Sequence, residues 1–431
     1  MKLWDKGTEP SKIIERFTVG NDRELDMHLA KYDVQGTIAH VTMLESIGLL
    51  AKDELKTLLQ QLNKMLEEIE TGEFVIEEGI EDIHSQVELL LTREIGGTGK
   101  KIHAGRSRND QILLDLRLFA REKIKNTASA IQNLFNILIN LSESHKEVLM
   151  PGYTHMQIAM PSSFGLWFGA YAESLTDDML LLHAAMKIVN QNPLGSAAGY
   201  GSSFPIDREK TTKLLNFENM VYNSLYASMC RGKTEKTAAY AVGAVAGTLN
   251  KLASDICLFM GQNYGFINFP DELTTGSSIM PHKKNPDVFE LVRAKTSRLQ
   301  IADSEFTAIT NNLPSGYHRD FQLLKERFVN MFEEIIACIE ITGFMLSKVE
   351  INKDILYDEK YNFLFSVEEV NKLVKQGVPF REAYCSVAKD IGEGTFKPSK
   401  ALKHTHEGSI GNLCNEAVTE KMNQITKLFE L

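Results

Sequence analysis

The sequence predicts an all-α protein in which a long central helical bundle lies between smaller N- and C-terminal helical domains. Five long segments have helical apolar periodicity, and few alternating β-branched runs separate them. Helices of this length can bury their apolar stripes only against one another or against neighbouring chains. We therefore predict an N-terminal helical domain at 1–105, a central long-helix domain at 106–348 and a C-terminal helical domain at 349–431.

The longest predicted helix covers residues 106–150, which contain neither Gly nor Pro. Ile124, Ile131 and Leu138 recur every seven residues, which predicts a helix of roughly 60 Å at 1.5 Å per residue. Similar apolar stripes predict further helices, two short ones before this segment and four long ones after it: 33–50, 53–71, 162–191, 232–262, 287–312 and 319–348.

Two features of the N-terminal domain suggest chemistry, but each has a simpler interpretation. His84 follows an acidic stretch, and we expect it to be solvated or to cap a helix. The glycine-rich segment 96–101 is similar to a phosphate-binding loop. Glu94 stands where that motif needs its first Gly, and Lys101 stands where it needs Ser or Thr. We therefore expect a flexible turn at 96–101.

Composition indicates an ordinary globular protein, with 43% hydrophobic residues, 24% charged residues and a net charge of −10. This charge argues against non-specific nucleic-acid binding. The five cysteines lack C-x-x-C spacing, so we expect free thiols in a reducing compartment. Residues 1–6 lack the apolar core of a signal peptide, and no apolar run approaches the ~20 residues of a membrane span. We expect a cytoplasmic protein that does not bind membranes.

A polar loop at 275–286 is the most informative stretch, and we call it the Gly276 loop. Gly276 and the two serines after it form a mobile turn, which leads into a predicted helix start. There, Asn285 can cap the helix, Pro286 suits its first position and Asp287 complements its dipole. The free N–H groups of a helix start attract anions, although a capped surface helix behind a polar loop has the same composition.

Two other polar segments lie beside ends of long helices: H-A-G-R-S-R-N-D-Q at 103–111 and G-Y-T-H-M-Q at 152–157. Within one antiparallel bundle these helix ends need not lie at the same end. We therefore expect a homo-oligomer whose active sites are shared between subunits. Since no H-E-x-x-H motif, cysteine cluster or complete phosphate loop is present, we expect no metal or nucleotide cofactor.

The order G-S-S-x-M-P-x-K-x-N-P in the Gly276 loop resembles the signature of the aspartase/fumarase superfamily. The segments at 103–111 and 152–157 resemble the argininosuccinate lyase family, and the resemblance covers nearly the whole chain. It implies an aspartase/fumarase-like fold, a homotetramer and no cofactor. It also implies a reaction of arginine biosynthesis, in which argininosuccinate loses a succinyl Cβ proton and is split into L-arginine and fumarate.

The resemblance assigns catalytic roles to His155, Ser277, Lys283 and Glu290. Ser277 and His155 match the proton-transfer positions, and which of them takes the carbon proton stays open. Ser278 is the alternative catalytic hydroxyl. Lys283 is suited to stabilise the developing charge, and Glu290 is expected to pair with His155 and raise its basicity.

The substrate contacts implied by the resemblance are Asn109, Thr154, Tyr317, Gln322 and Lys325. Two further residues are predicted to bind substrate from their chemistry. The guanidinium of Arg108 can donate two parallel hydrogen bonds to a carboxylate, and Asn285 lies at a helix start, where free N–H groups attract anions. Gly20 and the segment 226–233 depart from the family pattern, which leaves the substrate open. The competing interpretations are adenylosuccinate lyase, which uses the same loop on a nucleotide substrate, and a non-catalytic structural protein.

Overall fold

The structure is a computed structural model that describes residues 12–429, so the N-terminal segment 1–6 lies outside the described residues. The described chain is mostly helical, which confirms the predicted all-α class. Its α-helices are α1 Lys12–Val19, α2 Asp22–Met27, α3 Ala30–Ser46, α4 Lys52–Thr71, α5 Ile83–Ile95, α6 Arg108–Ser144, α7 Phe164–Val189, α8 Arg208–Leu214, α9 Ser224–Met229, α10 Lys233–Met260, α11 Asp287–Leu299, α12 Ala302–Thr310, α13 Leu324–Leu346, α14 Ser366–Lys375, α15 Phe380–Gly392 and α16 Asn415–Lys427.

Short strands form three two-stranded pairs within the described part of the chain. The longest pair is an antiparallel hairpin, and the other two pairs contain two residues per strand. The strands are β1 Leu149–Thr154 with β2 Gln157–Ser163, β3 Gln191–Asn192 with β4 Asn219–Met220, and β5 Ile267–Asn268 with β6 Glu350–Ile351.

The chain divides into two compact units, each assembled from separated segments. The first contains residues up to Thr127 together with Leu181–Gly243 and Leu299–Glu334. The second contains Ala128–Leu180, Ala244–Arg298 and Ile335–Leu431. The division into three consecutive domains at 105 and 348 remains a prediction.

A core of α3, α4 and α5 positions the functional residues of the first unit. Val41, Leu58 and Val87 are among its buried side chains. The segment Gly96–His103 packs beside this core as a 3₁₀ helix, so the expected flexible turn was wrong. Gly99 explains the difference, because a Cβ there would lie 2.5 Å from the Leu91 backbone carbon. A glycine is needed for this close approach.

The predicted long helices are confirmed in position, but the longest ends earlier than predicted, at Ser144, and Leu149 and Met150 lie in β1. Two other predicted helices are irregular. The segment 287–312 is divided into α11 and α12. Near the end of α11, the hydroxyls of Thr296 and Ser297 donate to the carbonyls of Val292 and Arg293, and such contacts weaken and bend helices. The segment 319–348 begins with a 3₁₀ turn, Arg319–Leu323, before α13.

Among the described helices, α10 alone has the length and apolar composition that a membrane span requires. Half of its most apolar window is buried inside the protein. Core helices of globular proteins have the same composition, so this is weak evidence for a span.

Candidate active site

The Gly276 loop closes on itself immediately before α11. The Asn285 backbone N–H donates to the Thr275 carbonyl at 2.8 Å, and its side-chain amide donates to the Gly276 carbonyl at 3.3 Å. The amide of Asn285 therefore closes the loop, whereas we had expected it to cap the helix. Helix α11 begins at Asp287, whose carboxylate accepts a hydrogen bond from the Thr275 hydroxyl.

Ser277 occupies a local turn that directs backbone donors at its hydroxyl. Its Oγ accepts hydrogen bonds from the N–H groups of Ile279 at 3.3 Å and Met280 at 3.2 Å. Ser278 is more exposed, and no described residue forms a hydrogen bond with its hydroxyl. The two adjacent serines therefore differ, since only the Ser277 oxygen is placed where N–H dipoles stabilise negative charge.

Two adjacent lysines of the loop also have different surroundings. Lys284 forms an ion pair with Asp271. Lys283 has no ion-pair partner among residues 12–429, and its side chain lines a cavity of about 610 Å³. We call this cavity the Lys283 cavity; Asn285 and Glu290 also line it. Three predicted site residues, Lys283, Asn285 and Glu290, therefore line one cavity. Within residues 12–429, no carboxylate neutralises the Lys283 ammonium.

His155 lies at the tip of the β1–β2 hairpin. Thr154 pairs with Gln157, so His155 and Met156 form a two-residue turn. Both have left-handed backbones, with φ of +52° and +61°, which is uncommon for residues other than Gly and Asn. Such backbones cluster at functional sites. Thr154 and His155 are both exposed, so the hairpin presents them to solvent.

The expected pair between His155 and Glu290 does not form within one chain. Glu290 instead lies 4.0 Å from the guanidinium of Arg293. No hydrogen bond or ion pair joins His155 to any residue in the described range. Because both side chains are exposed, each is free to meet a group from outside its own chain.

The predicted binding residues of the first unit line a cavity of about 150 Å³, which we call the Asn109 cavity. It is lined by Asn109, Tyr317, Gln322 and Lys325, which the resemblance assigns to substrate binding, and by Arg108, which we predicted from the chemistry of its guanidinium. Sequence reasoning had not placed the other lining residues at the site: Asp22, Asp26, Glu81, Asp82, His84, Ile112, Arg231 and Arg319.

The predicted cations of the Asn109 cavity are paired with carboxylates. Nη1 of Arg108 lies 3.2 Å from Oδ2 of Asp82. The Lys325 ammonium donates hydrogen bonds to Oδ1 of Asp22 at 2.9 Å and to Oδ1 of Asp26 at 2.6 Å. Burial alone would lower the pKa of Lys325, but the two aspartates outweigh it and raise that pKa. Lys325 therefore stays charged in a nearly closed environment.

Gln322 has a second role in the structure. Its side-chain amide donates to the carbonyls of Thr18 at 2.9 Å and Val19 at 3.4 Å, at the end of α1. Arg319 donates to the same Thr18 carbonyl at 2.8 Å. These bonds hold the end of α1 beside Arg319 and Gln322, which line the Asn109 cavity.

His84 is buried, so the expectation of a solvated or capping residue was wrong. Its Nδ1 lies 2.7 Å from Asp33 and 3.8 Å from Asp115. Burial alone would lower the pKa of His84, but Asp33, Asp82 and Asp115 outweigh it and raise the pKa to about 9. His84 is therefore an imidazolium at neutral pH, and its ring lines the Asn109 cavity.

The same three residues form a cluster with the donor set of a metal site. Asp33, His84 and Asp115 offer ligand atoms that all lie within 4.8 Å of one another. The cluster does not need a metal to balance its charge, because the His84 imidazolium and the buried Arg106 already supply two positive charges. A metal ion would also have to displace the proton of an imidazolium.

Asp110 connects the start of α6 to the loop that follows β3. One carboxylate oxygen accepts a hydrogen bond from the Ser107 backbone N–H at 2.7 Å. The other accepts hydrogen bonds from the backbone N–H groups of Gly195 and Ala197, both at 2.9 Å. Burial raises the pKa of Asp110 to about 6, although these three N–H groups act in the opposite direction. Asp110 thereby fixes the backbone beside Asn109.

Comparison with known proteins identifies the family. A protein-family model described as a lyase matches residues 8–300. The chain is 60% identical to the argininosuccinate lyase of Bacteroides fragilis, over 99% of this chain and 96% of that protein. It is 39% identical to the argininosuccinate lyase of Thermotoga neapolitana, over 91% of this chain and 98% of that protein.

Solved structures of related lyases share the fold. EDDS lyase in complex with formate has a TM-score of 0.76 at 22% identity, covering 98% of this chain and 91% of its own. A class II fumarase from Schistosoma mansoni has a TM-score of 0.70 at 14% identity, covering 97% of this chain and 94% of its own. The fold agrees with the relationship found in the sequence, and the chain belongs to the argininosuccinate lyase family.

Proposed function

We propose that the chain cleaves argininosuccinate to L-arginine and fumarate, as a carbon–nitrogen lyase of arginine biosynthesis. The observation that carries this proposal is the Gly276 loop. There, the Lys283 ammonium has no ion-pair partner among the described residues, and the Ser277 oxygen accepts hydrogen bonds from two backbone N–H groups. A loop of this construction suits a reaction in which negative charge develops next to a carboxylate.

The reaction begins with loss of the succinyl Cβ proton. Its electron pair moves toward the neighbouring carboxylate, which becomes a dianionic aci-carboxylate. Lys283 can stabilise this charge because no carboxylate among residues 12–429 forms an ion pair with its ammonium. The N–H groups at the Ser277 oxygen favour its deprotonated form, which supports Ser277 over Ser278 as the catalytic hydroxyl.

The second half of the reaction expels the guanidino nitrogen, which must receive a proton as the C–N bond breaks. We assign the two proton transfers to Ser277 and His155, and either can act on carbon. Glu290 would orient His155 and raise its basicity once an assembly brings them together. The exposed position of His155 at a hairpin tip supports this assignment.

We propose that the Asn109 cavity holds the amino-acid end of the substrate. That end carries a carboxylate, an ammonium and, further along, the guanidino group. Lys325 and Arg108 suit its carboxylate, while Asp22 and Glu81 suit its cationic groups. Asn109, Tyr317 and Gln322 add neutral polar groups to the same cavity. We assign Thr154 and Asn285 to the succinyl end, since Thr154 precedes His155 and Asn285 lines the Lys283 cavity.

We further propose that the protein is a cytoplasmic homotetramer with active sites shared between subunits. Leu291 on α11 and Ile341 on α13 are exposed side chains that line one apolar groove, and Phe344 is also exposed on α13. Exposed apolar surface on long helices is typical of interfaces between chains. We propose no metal or organic cofactor, no nucleic-acid partner and no membrane attachment.

The direct test is to add the purified protein to argininosuccinate and to follow fumarate by its ultraviolet absorbance. We expect fumarate and arginine to form in equal amounts, before and after treatment with a chelator. Fumarate released only from adenylosuccinate would indicate the nucleotide-specific relative instead. Release from neither substrate would favour a non-catalytic protein, and activity that depends on an added divalent ion would contradict the cofactor-free mechanism.

A further inference from the structure

Two walls of the Asn109 cavity come from distant parts of the chain. Arg108 and Asn109 form one wall at the start of α6, and Tyr317 belongs to another wall, between α12 and α13. The loop 193–201, between β3 and α8, contacts the segments that carry both walls, although none of its residues lines the cavity. We call it the Gly195 loop.

Asp110 joins the first wall to the Gly195 loop through buried hydrogen bonds. Its side chain is fully buried, and Oδ2 accepts hydrogen bonds from the backbone N–H groups of Gly195 and Ala197, both at 2.9 Å. Oδ1 accepts a hydrogen bond from the backbone N–H of Ser107, the residue before α6, at 2.7 Å. Because both oxygens of a carboxylate accept, one side chain holds donors on two sides.

The part of the loop that Asp110 binds has an uncommon backbone conformation. Gly195 has a φ of +86° and Ala197 has a φ of +53°, and a left-handed backbone is uncommon for alanine. On the other side of the loop, Nε of Arg208 donates a hydrogen bond to the Leu194 carbonyl at 2.9 Å. The loop is therefore fixed between an acceptor, Asp110, and a donor, Arg208.

The far end of the Gly195 loop lies beside the second wall. The hydroxyl oxygen of Tyr200 lies 3.6 Å from the position that a Cβ would take on Gly316, the residue before Tyr317. Within the loop, the backbone N–H of Gly199 donates a hydrogen bond to the Ser196 carbonyl at 3.0 Å. A single turn thus connects the residues bound by the carboxylate to the second wall.

We propose that Asp110 is a positioning residue, which sets the separation of these two walls and thereby the affinity of the Asn109 cavity for the amino-acid end of the substrate. This inference rests on the proposed function, because it takes that cavity as the site of the arginine portion. Asp110 does not line the cavity and acts through the backbone of Ser107 and of the Gly195 loop. Because the proposed proton transfers use other residues, loss of Asp110 should raise KM and leave kcat nearly unchanged.

The substitution Asp110→Asn tests the proposal, because the amide keeps the size of the side chain but accepts hydrogen bonds on one side only. Burial raises the pKa of Asp110 to about 6, so an uncharged side chain of the same shape suits this environment and the variant should fold. We expect the Kd for L-arginine, measured by isothermal titration calorimetry, and the KM for argininosuccinate to rise about tenfold. The kcat should stay within about threefold of the wild type.

Asp207→Asn is the matched control, because Asp207 also accepts a backbone N–H, that of Lys210 at 2.9 Å, but does not line the cavity or contact the Gly195 loop. Asparagine caps helices as well as aspartate does, so this variant should bind L-arginine as the wild type does. A second variant, Tyr200→Ala, removes an exposed side chain whose loss does not endanger folding. It should raise the Kd for L-arginine severalfold.

The proposal is overturned if Asp110→Asn binds L-arginine as tightly as the wild type, or if Asp207→Asn weakens binding equally. A fall in kcat with an unchanged KM would also overturn it, because Asp110 would then act on the chemistry. If Asp110→Asn does not fold, unchanged binding by Tyr200→Ala overturns the proposal. A wild-type protein that binds L-arginine but releases no fumarate from argininosuccinate would contradict the proposed function alone, since the comparison of L-arginine binding would still decide the role of Asp110.

Discussion

Lys283 and Lys284 are adjacent in sequence, yet within the described part of the chain a carboxylate pairs with Lys284 and none pairs with Lys283. We predict that Lys283→Ala lowers kcat far more than it raises KM, because its ammonium stabilises charge that appears only as the Cβ proton leaves. Loss of one such donor typically costs about 10²–10³ in rate. Steady-state kinetics of fumarate release measures the effect.

Lys284→Ala is the matched control, because it removes the same charge from the neighbouring position. It should leave kcat within about tenfold of the wild type, since Lys284 pairs with Asp271. If Lys284→Ala were the more damaging and Lys283→Ala nearly silent, the assignment of the loop would be wrong by one residue. Ser278 would then replace Ser277 as the catalytic hydroxyl.

His84 predicts a pH dependence of stability. Its folded-state pKa is about 9, above its ordinary value of 6.5, so the stabilisation is complete below about pH 6.5 and is lost as the pH rises through about 9. The shift corresponds to roughly 3 kcal/mol at most. We predict that the Tm of the wild type falls over this range, and that His84→Gln lowers Tm at neutral pH but flattens the decline.

The control for this experiment is His28→Gln, which changes an exposed ring. It should keep the pH dependence of the wild type. An equally steep decline in His84→Gln would show that another group is responsible. Differential scanning fluorimetry across the pH series measures all three proteins.

Most of the site residues predicted from the sequence lie within contiguous motifs. Ser277, Lys283 and Asn109 lie in such segments, and the structure places each beside a cavity or in a polar turn. His84 was missed because its partners Asp33 and Asp115 lie on two other helices, and no local pattern joins them. The available signal was Asp115, which has Ile112, Leu118 and Phe119 as neighbours at helical spacing.

At the scale of elements, the contact between the Gly96–His103 segment and α5 depends on one glycine. We predict that Gly99→Ala destabilises the protein by about 1–3 kcal/mol, because the new Cβ would meet the Leu91 backbone, which cannot move easily. Thermal or urea unfolding measures the change.

Gly97→Ala is the control for this substitution, since a Cβ at Gly97 meets no atom within 4 Å. It should be neutral or slightly stabilising, because alanine reduces the freedom of the unfolded chain. Equal effects of the two substitutions would mean that loss of flexibility, and not crowding at Leu91, determines the stability.

The helices were predicted well because their apolar stripes are long, whereas the short elements were not. The β1–β2 hairpin contains Pro151 and Pro161, which are unusual in strands, and its turn consists of His155 and Met156 in place of the usual Asn-Gly. The break between α11 and α12 depends on hydroxyl contacts, which carry no periodicity. Periodicity therefore predicts where helices lie better than where they end.

At the scale of the whole molecule, we predict a tetramer in solution by multi-angle light scattering. Exposed apolar side chains on α11 and α13, including Leu291 and Phe344, need a partner surface. Leu291→Glu should weaken assembly and reduce turnover together, because shared sites would be lost with the interface. A fully active monomer would contradict shared active sites.

The most direct test of shared sites is to mix two inactive variants. Lys283→Ala removes the ammonium that we propose stabilises the developing charge. Asn109→Ala removes a proposed binding group, and the Asn109 side chain forms no hydrogen bond with another described residue. After the two are unfolded and refolded together, we predict recovery of about a quarter of the wild-type activity, because random assembly leaves that share of shared sites with both residues intact. Mixed oligomers that form, as shown by mass spectrometry, but stay as inactive as the parents would contradict sites shared between subunits.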